Sequence, residues 1–518
     1  MHFVNLGHCL SHSVRRFPDK PAIHFEDHTL TYRELDRRIH RLAASLARFG
    51  LGVDSKAAIL GRNSHRVLEL SMALARLGIW MVPINHRLRP ADVDQRLQHA
   101  GVDALFIDSE FADQVTDFKR ETLERLGPRI VVMGERPSSV PQVTDYETLA
   151  TASPATVPEV DLSPEQPLYL GYTSGTTGRS KAAIVSHRAI LAGFLYKALD
   201  YGLQHTDVML SAGYFWHSAP RDFALLQLYL GGTTVVMRDF DAAEALRLLR
   251  EHQVSAGFFV PTMYKMMLEF EPDGASPLAS LRLLISGGAP MPVPLKKEVL
   301  SRFGPILHEF YGATETRVVA SIGDRDLQAR PRSVGRPGRD IRVRIVNENG
   351  ASVPDGEIGQ IYLQTPTLFG GYYRDPEKTN AAFVDNWFTL GDMGRQDPDG
   401  YLYLVDRRDD VILSGGENIY PSEIEEALLR HPAVSDAAVV GVPDERWGEA
   451  VKAFVCLRPE RSGDVDEKSL KGFCREHLAD YLVPKSFEFR DSLPRNPTGK
   501  ILRRILKAPH WDDGGRPA

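Results

Sequence analysis

Residues 172–181 read YTSGTTGRSK: six Gly, Ser and Thr residues in succession, then Arg179, Ser180 and Lys181. Small residues let backbone N–H groups approach anionic oxygens, the hydroxyls add donors, and Lys181 adds a point charge. The spacing is not the G-x-x-x-x-G-K-[ST] of the common nucleotide loop. Here Gly175 and Gly178 stand three apart and Lys181 three further on. Alone, the stretch reads equally as a phosphate-holding loop or a flexible surface loop, so its company must decide.

With 518 residues, the chain exceeds one ordinary core and suggests several domains or subdomains. Its 43% hydrophobic and 25% charged residues are those of a globular protein, without low-complexity tract or short-period repeat. A net charge of −6 gives no global basic field for nucleic acid, so any anion must be held locally and the partner is a small molecule. Cys9, Cys456 and Cys474 are few, odd in number and far apart, which argues for buried thiols in a reducing compartment rather than a disulfide framework or metal site. No stretch of about 18 apolar residues and no basic start with a long apolar core occurs, so a cytoplasmic location is expected.

Working outward, TYRELDRRIHRLAASLARFG (31–50) puts Leu35, Ile39, Leu42, Leu46 and Phe49 on one helical face. Thr31 and Glu34 form a capping box and Gly50 marks the stop. A short apolar stretch from Ala57 to Leu60, a helix ending near Leu77 and IWMVPIN then alternate as in an α/β sheet. The alternation recurs around 231–237, 255–264 and 281–288. After about residue 330, the alternating Ile341, Val343 and Ile345 and the turns Asn349-Gly350 and Asp355-Gly356 predict a β-rich subdomain. The last hundred or so residues predict a small α+β unit, with a helix from Pro421, strands AAVVGV and KAFVCL, a helix from about Glu467 and a strand near Phe487. The charged VDRRDD (405–410) between them suits a hinge.

Further short motifs are each weak by themselves. YGATET (311–316) offers a ring for a base and Glu315 for magnesium, or simply a solvated helix start. Asp392 in GDMG can accept two ribose hydroxyls, or sit in a plain turn. Lys500, after Pro-Thr-Gly, reads by itself as a solvated lysine.

Together, in this order, YTSGTTGRSK, VPTMY, SGGAPMP, YGATET, GDMG, VDRRDDVILSGGENIYPSEIE and PTGK resemble the adenylate-forming superfamily, over nearly the whole chain. That superfamily holds acyl-CoA synthetases, peptide-synthetase adenylation domains and luciferases. The departure is Ser180-Lys181-Ala182 where such proteins commonly have Pro-Lys-Gly. The resemblance implies a large N-terminal domain, 1–406, of α/β subdomains with the β-rich part at about 330–406, and a small mobile α+β domain, 407–518, hinged near Asp409.

It further implies ATP-dependent activation of a carboxylic acid to an acyl-adenylate, then transfer to coenzyme A with release of AMP. Thr173, Ser174, Gly175, Thr176, Thr177, Gly178 and Lys181 would hold the phosphates that leave as pyrophosphate. Tyr311 and Gly312, with Gly288, Ala289 and Pro290, would enclose adenine, Thr314 would touch the α-phosphate and Glu315 would bind Mg2+. Asp392 and Arg407 would take the ribose, and Lys500 would bridge carboxylate and α-phosphate. Thr176 and His217 join Lys500 and Glu315 as catalytic candidates. Ser414, Gly415 and Gly416 would form the thiol-side loop. His217 is alternatively a core histidine beside Trp216; Arg221 either faces a polar group of the acid or lies on the surface. Trp216, His217, Arg221, Tyr264 and Gly287 are the acyl-pocket candidates.

The acid is expected to be fatty or aryl. VVGVPDERWGEAVKAFVCL resembles the coenzyme A ligases in particular, and the chain ends soon after Lys500, which sets coenzyme A ahead of a carrier protein as acceptor. A luciferase-like oxygenation is more remote. A non-catalytic nucleotide binder on this scaffold would be expected to lose Lys181, Glu315, Asp392 or Lys500, and all four are present. A homodimer is compatible with the sequence, which does not fix the oligomeric state.

Overall fold

The computed structural model describes residues 5–135, 143–153, 156–173, 181–270, 278–461, 463, 465–495 and 500–511. The chain forms two compact units: Met1–Pro331 with Gly338–Ile341 and Thr365–Ala381, and Arg332–Pro337 with Arg342–Gln364 and Ala382–Ala518. The β-rich stretch thus packs mainly with the carboxyl-terminal residues, while Thr365–Ala381 returns to the first unit.

The first unit is built on two mainly parallel sheets. One runs, in spatial order, through strands Leu307–Ala313, Leu283–Ser286, Ala256–Phe259, Val208–Ser211, Thr233–Val236 and Pro21–Phe25, all parallel. Antiparallel strands Arg317–Gly323 and His28–Thr31 flank this run. Its central strands, such as LLIS at Leu283–Ser286, are buried at every residue, as expected when helices cover both faces. The other sheet orders Thr144–Asp145, Ile130–Met133, Ala104–Asp108, Lys56–Leu60, Trp80–Ile84, Pro167–Thr173 and Lys181–Ser186, with only the last pair antiparallel. Ligands of open parallel sheets bind beyond the carboxyl ends of the strands. Thr173, Gly288, Tyr311, Thr314 and Glu315 fall at or just after such ends.

Helix Tyr32–Arg48 starts on the expected capping box, with the Thr31 side chain accepting from Glu34 N–H and Glu34 accepting from Thr31 N–H. It buries Leu35, Ile39, Leu42 and Leu46, and Gly50 follows at φ 76°.

In the second unit, Arg342–Val346, Gly359–Gln364, Phe383–Val384, Trp387–Phe388, Asp392–Gln396 and Leu402–Arg407 make an antiparallel sheet. Gly350 and Gly356 turn the chain at φ 77° and 87°, where asparagine- and aspartate-glycine turns were expected. Strands Val434–Asp444 and Gly448–Leu457 form a long hairpin, joined in parallel by Ser486–Phe489 and covered by helices Pro421–Leu429 and Glu467–His477. Cys9, Cys456 and Cys474 are free and buried. Among the described residues no helix is long and apolar enough to cross a membrane.

Candidate active site

In the first unit, strands Pro167–Thr173 and Lys181–Ser186 pair antiparallel with Thr173 opposite Lys181, the described residues that flank the glycine-rich stretch. Ser174, Gly175, Thr176, Thr177 and Gly178 lie outside the described residues, as does Ser180. Lys181 Nζ stands 5.0 Å from the centre of the Tyr372 ring. The Tyr372 hydroxyl donates to Glu315 Oε1 at 3.0 Å. Lysine and carboxylate are therefore linked through one aromatic side chain, although 134 residues separate them in sequence.

Strand Leu307–Ala313 delivers Tyr311, Gly312 and, just past its end, Thr314 and Glu315. Tyr311 is largely buried, and Gly288, at φ 85°, turns the chain after strand Leu283–Ser286, with Val260 Cγ1 3.9 Å from where a Cβ would stand. Ala289 and Pro290 follow in the same turn, and Met291 N–H reaches Glu309 Oε1 at 3.4 Å. Glu309 is itself paired with buried Lys296 at 2.6 Å, so this connection is anchored to the strand that carries Tyr311. Gly171 has no room for a side chain: a Cβ there would stand 2.5 Å from Thr314 Cγ2. Thr314 Oγ1 lies 3.3 Å from Ser218 Oγ at the start of helix Ser218–Leu230.

One helical turn on, Arg221 and Asp222 belong to a buried ionic cluster that the sequence did not suggest. Arg317, held at φ 60°, pairs with Asp222 Oδ2 at 2.9 Å and donates to the Tyr169 hydroxyl and to the Thr314 carbonyl. Arg221 donates to Phe215 O at 3.1 Å, stacks 4.2 Å from the Tyr169 ring centre and stands 3.8 Å from Asp222 Oδ1. With 1% of its surface exposed, Arg221 is a core residue, which corrects the surface alternative. Lys197 shares the cluster. Burial chiefly pulls its ammonium down to about 8, Arg317 and Arg221 add to the fall and Asp222 opposes it. Among the described residues Asp222 is the carboxylate that faces these three cations, and it buttresses the turn that presents Thr314.

Of the other pocket candidates, His217 caps the same helix at its backbone and packs on Trp216 with ring centres 3.6 Å apart. Burial first, and the charge of Arg221 second, lower its imidazole to about 3, so it is neutral at physiological pH. Tyr264 is fully buried and its hydroxyl bonds Ile285 O at 3.1 Å, a core anchor with no surface left for a substrate. Gly287 abuts Phe310: a Cβ would meet that ring at 2.5 Å. Phe310, Phe258 and Phe223 form a stack with ring centres 5.3 to 6.3 Å apart.

A magnesium ion needs few protein ligands, taking its remaining oxygens from phosphate and water. Among the described residues no group of three acidic, histidine or cysteine side chains is placed to hold a metal ion, and the largely buried Glu315 carboxylate suits that requirement.

In the second unit, Asp392 and Arg407 are cross-strand partners, with Arg407 Nε 3.3 Å from Asp392 Oδ1. Lys500 lies near them. Burial first, and then Arg407, lower its ammonium below the ordinary lysine value, while Asp392 and Asp410 oppose the fall. Asp409 sits in the short turn Arg408–Asp410, where its carbonyl accepts Lys507 at 3.3 Å. Arg503 ties the same turn to helix Pro421–Leu429, reaching Glu425 at 2.7 Å and Asp410 at 3.5 Å. Ser414 ends one strand of a tight hairpin in which Gly415 and Gly416 adopt φ 62° and 87°, a geometry that favours glycine at both positions. A Cβ on Gly415 would also stand 2.8 Å from the Trp447 ring.

Comparison with known proteins identifies the family. A family model described as AMP-binding enzyme matches residues 10–373, and one described as AMP-binding enzyme C-terminal domain matches 423–500. The chain is 35% identical over 512 residues to the fatty acid–[acyl-carrier-protein] ligase ScoC of Streptomyces coeruleorubidus, covering 96% of this chain and 95% of that protein. It is 35% identical over 492 residues to a feruloyl-CoA synthase of Amycolatopsis sp, covering 95% and 96%. The structure of o-succinylbenzoate coenzyme A synthetase (MenE) from Bacillus subtilis with ATP and magnesium superposes with a TM-score of 0.83 at 29% identity, over 96% of this chain and 99% of that one. ATP, Mg2+ and coenzyme A are the small molecules that go with such a membership. The chain belongs to the AMP-binding enzymes, the adenylate-forming superfamily, in its acyl-CoA synthetase branch.

Proposed function

We propose that the protein joins a fatty or aryl carboxylic acid to coenzyme A in two half-reactions. A carboxylate is a poor acyl donor because oxide would have to leave. In the first step one of its oxygens attacks the α-phosphorus of ATP, the bond to the β-phosphate oxygen breaks, and pyrophosphate departs. The nucleophile is already ionised, so the step needs no general base. In the second step the thiolate sulfur attacks the acyl carbon and AMP leaves with the electron pair.

The observation that carries this reading is the grouping of Thr314 and Glu315 beyond one strand end with Lys181, reached through Tyr372. Lys181 and the Thr173–Gly178 loop are assigned to the β- and γ-phosphates, Thr314 to the α-phosphate, and Tyr311, Gly312 and Gly288–Pro290 to adenine. Asp392 and Arg407 are assigned to the ribose and Lys500 to the charge that builds up as two anions meet. Removing such a preorganised group typically costs about 10²- to 10³-fold in rate. Glu315 would hold Mg2+, which would supply further neutralisation of the phosphate oxygens. Residues 1–406 and 407–518 are taken as the functional domains, with Asp409 as hinge and Ser414–Gly416 as the thiol-side loop. His217, Trp216 and Gly287 border the acyl group; Arg221 and Tyr264 act behind it.

The likeness to ScoC favours one second reading, a carrier protein in place of coenzyme A. Pyrophosphate release across fatty, aryl and dicarboxylic acids, with and without coenzyme A, separates the two. Turnover that requires coenzyme A for one class of acid supports the ligase and names its substrate. A single turnover regardless of coenzyme A points to another acceptor, and no release with any acid overturns the proposal.

A further inference from the structure

We infer that Tyr372 is a positioning residue that couples the pyrophosphate-side lysine to the magnesium carboxylate, so that the two respond to MgATP as one unit. The inference rests on the assignments of Lys181 and Glu315 made above. Tyr372 has 8% of its surface exposed and uses both of its chemically distinct parts. Its hydroxyl donates to Glu315 Oε1 at 3.0 Å, and its ring face lies 5.0 Å from Lys181 Nζ.

The backbone around it is strapped to both partners. Gly370 N–H bonds Ile184 O at 2.7 Å, Ile184 N–H bonds Gly371 O at 2.9 Å, and Tyr373 N–H bonds Ala182 O at 2.8 Å, so the segment runs along the strand that begins with Lys181. Phe369 N–H bonds Glu315 O at 2.8 Å, which fixes the segment to the carboxylate's own backbone. Gly371 takes φ 111° between these contacts, a conformation that a side chain would strain, and Tyr372 N–H is held by Thr379 Oγ1 at 2.9 Å. Tyr372 therefore has little freedom to follow Glu315 or Lys181; they are oriented on it.

Two physical consequences differ for the two parts of the side chain. A ligating carboxylate that receives a hydrogen bond on one oxygen is held in one rotamer and presents the other oxygen to the cation. A ring face under an ammonium holds the lysine by cation–π attraction until an anion takes over the charge. Tyr372→Phe removes only the first effect, whereas Tyr372→Leu removes both.

The test is ATP binding by calorimetry as a function of Mg2+ without acid, and inorganic pyrophosphate binding without metal. In Tyr372→Phe the Mg2+ concentration for half-maximal enhancement of ATP binding should rise about tenfold, the usual cost of losing an outer-shell partner of a metal ligand. Its metal-free pyrophosphate affinity should stay at the wild-type value. In Tyr372→Leu that affinity should also fall, by about three- to fivefold. An unchanged Mg2+ dependence in Tyr372→Phe would overturn the inference, as would an equal loss of metal-free binding in both variants. Should Tyr372→Leu fail to fold, Tyr372→Phe alone still decides. Wild-type protein that binds MgATP but releases no pyrophosphate with any acid would count against the proposed reaction and leave this comparison intact.

Discussion

Replacing Asp222 by asparagine changes almost no volume yet removes the one carboxylate, among the described residues, of a buried cluster that contains Arg317, Arg221 and Lys197. The distances are 2.9 Å from Arg317 Nη1 to Oδ2 and 3.8 Å from Arg221 Nη2 to Oδ1, with each side chain 3% exposed or less. At an effective dielectric constant of about 20, attractions over such distances are roughly 6 and 4 kcal/mol. Part of that is offset because the carboxylate no longer has to be desolvated, which leaves a loss of about 3–5 kcal/mol for a broken buried pair. In a protein of this size that corresponds to a fall of roughly 3–5 °C in the melting midpoint of the transition. The opposite sign is expected for Arg221→Met. Its Nε and Nη2 make no hydrogen bond among the described residues, so removing this cation relieves repulsion with Arg317 and Lys197 and should leave the midpoint unchanged or higher. Scanning fluorimetry of Asp222→Asn, Arg221→Met and the double variant reads all three, and the double variant should recover part of the loss. A fall of under about 2 °C for Asp222→Asn, or a larger fall for Arg221→Met than for Asp222→Asn, would refute the charge count. Because Arg317 also holds the Thr314 carbonyl, pyrophosphate release by Asp222→Asn should drop even at temperatures where it stays folded.

Lys500 acts as a cation, and its ammonium is held below the ordinary lysine value, so raising the pH discharges it earlier than a solvated lysine. Adenylation should therefore fall on an alkaline limb below about pH 10.4. Lys500→Arg should abolish that limb and Lys500→Ala should slow acid-dependent ATP–pyrophosphate exchange by about 10²- to 10³-fold, whereas a limb insensitive to Lys500→Arg would assign it elsewhere. Gly171→Ala drives a methyl group to within 2.5 Å of Thr314 Cγ2, and should reduce the rate of pyrophosphate release and destabilise the fold by about 1–3 kcal/mol; an unaffected rate would show that Thr314 is free to move. Phe310→Ala removes the ring that fills the space beside Gly287, and should shift the preferred acids toward bulkier chains, measured as the ratio of kcat/KM between long and short acids; an unchanged ratio would exclude this aromatic stack as a border of the acyl site.

Elements whose signal is local were legible along the chain. The capping box at Thr31 and Glu34, the alternation of short apolar strands with helices, and the paired glycines at 415 and 416 are dictated by neighbours within a few residues. The order of the phosphate, adenine, ribose and lysine motifs likewise identified the family, because each demands particular residue types in a short window. Lys181 and Glu315, though distant in sequence, could be named in this way. What no local pattern contains is the company that side chains acquire when separate strands are brought side by side. Tyr372 sits in GGYYRDPEK and looks like a turn residue; only the pairing of its segment with the strand from Lys181 turns it toward Glu315. Arg221 reads as a solvated helix residue, since arginine is seldom buried. Tertiary packing buries it against Tyr169 and Asp222, at a desolvation cost that no window of sequence can register. The amino-acid sequence thus determined the elements and the reaction class through short-range propensity and motif chemistry. The tertiary structure alone decided which charges share a low-dielectric interior, because that depends on distances between residues that the sequence keeps far apart.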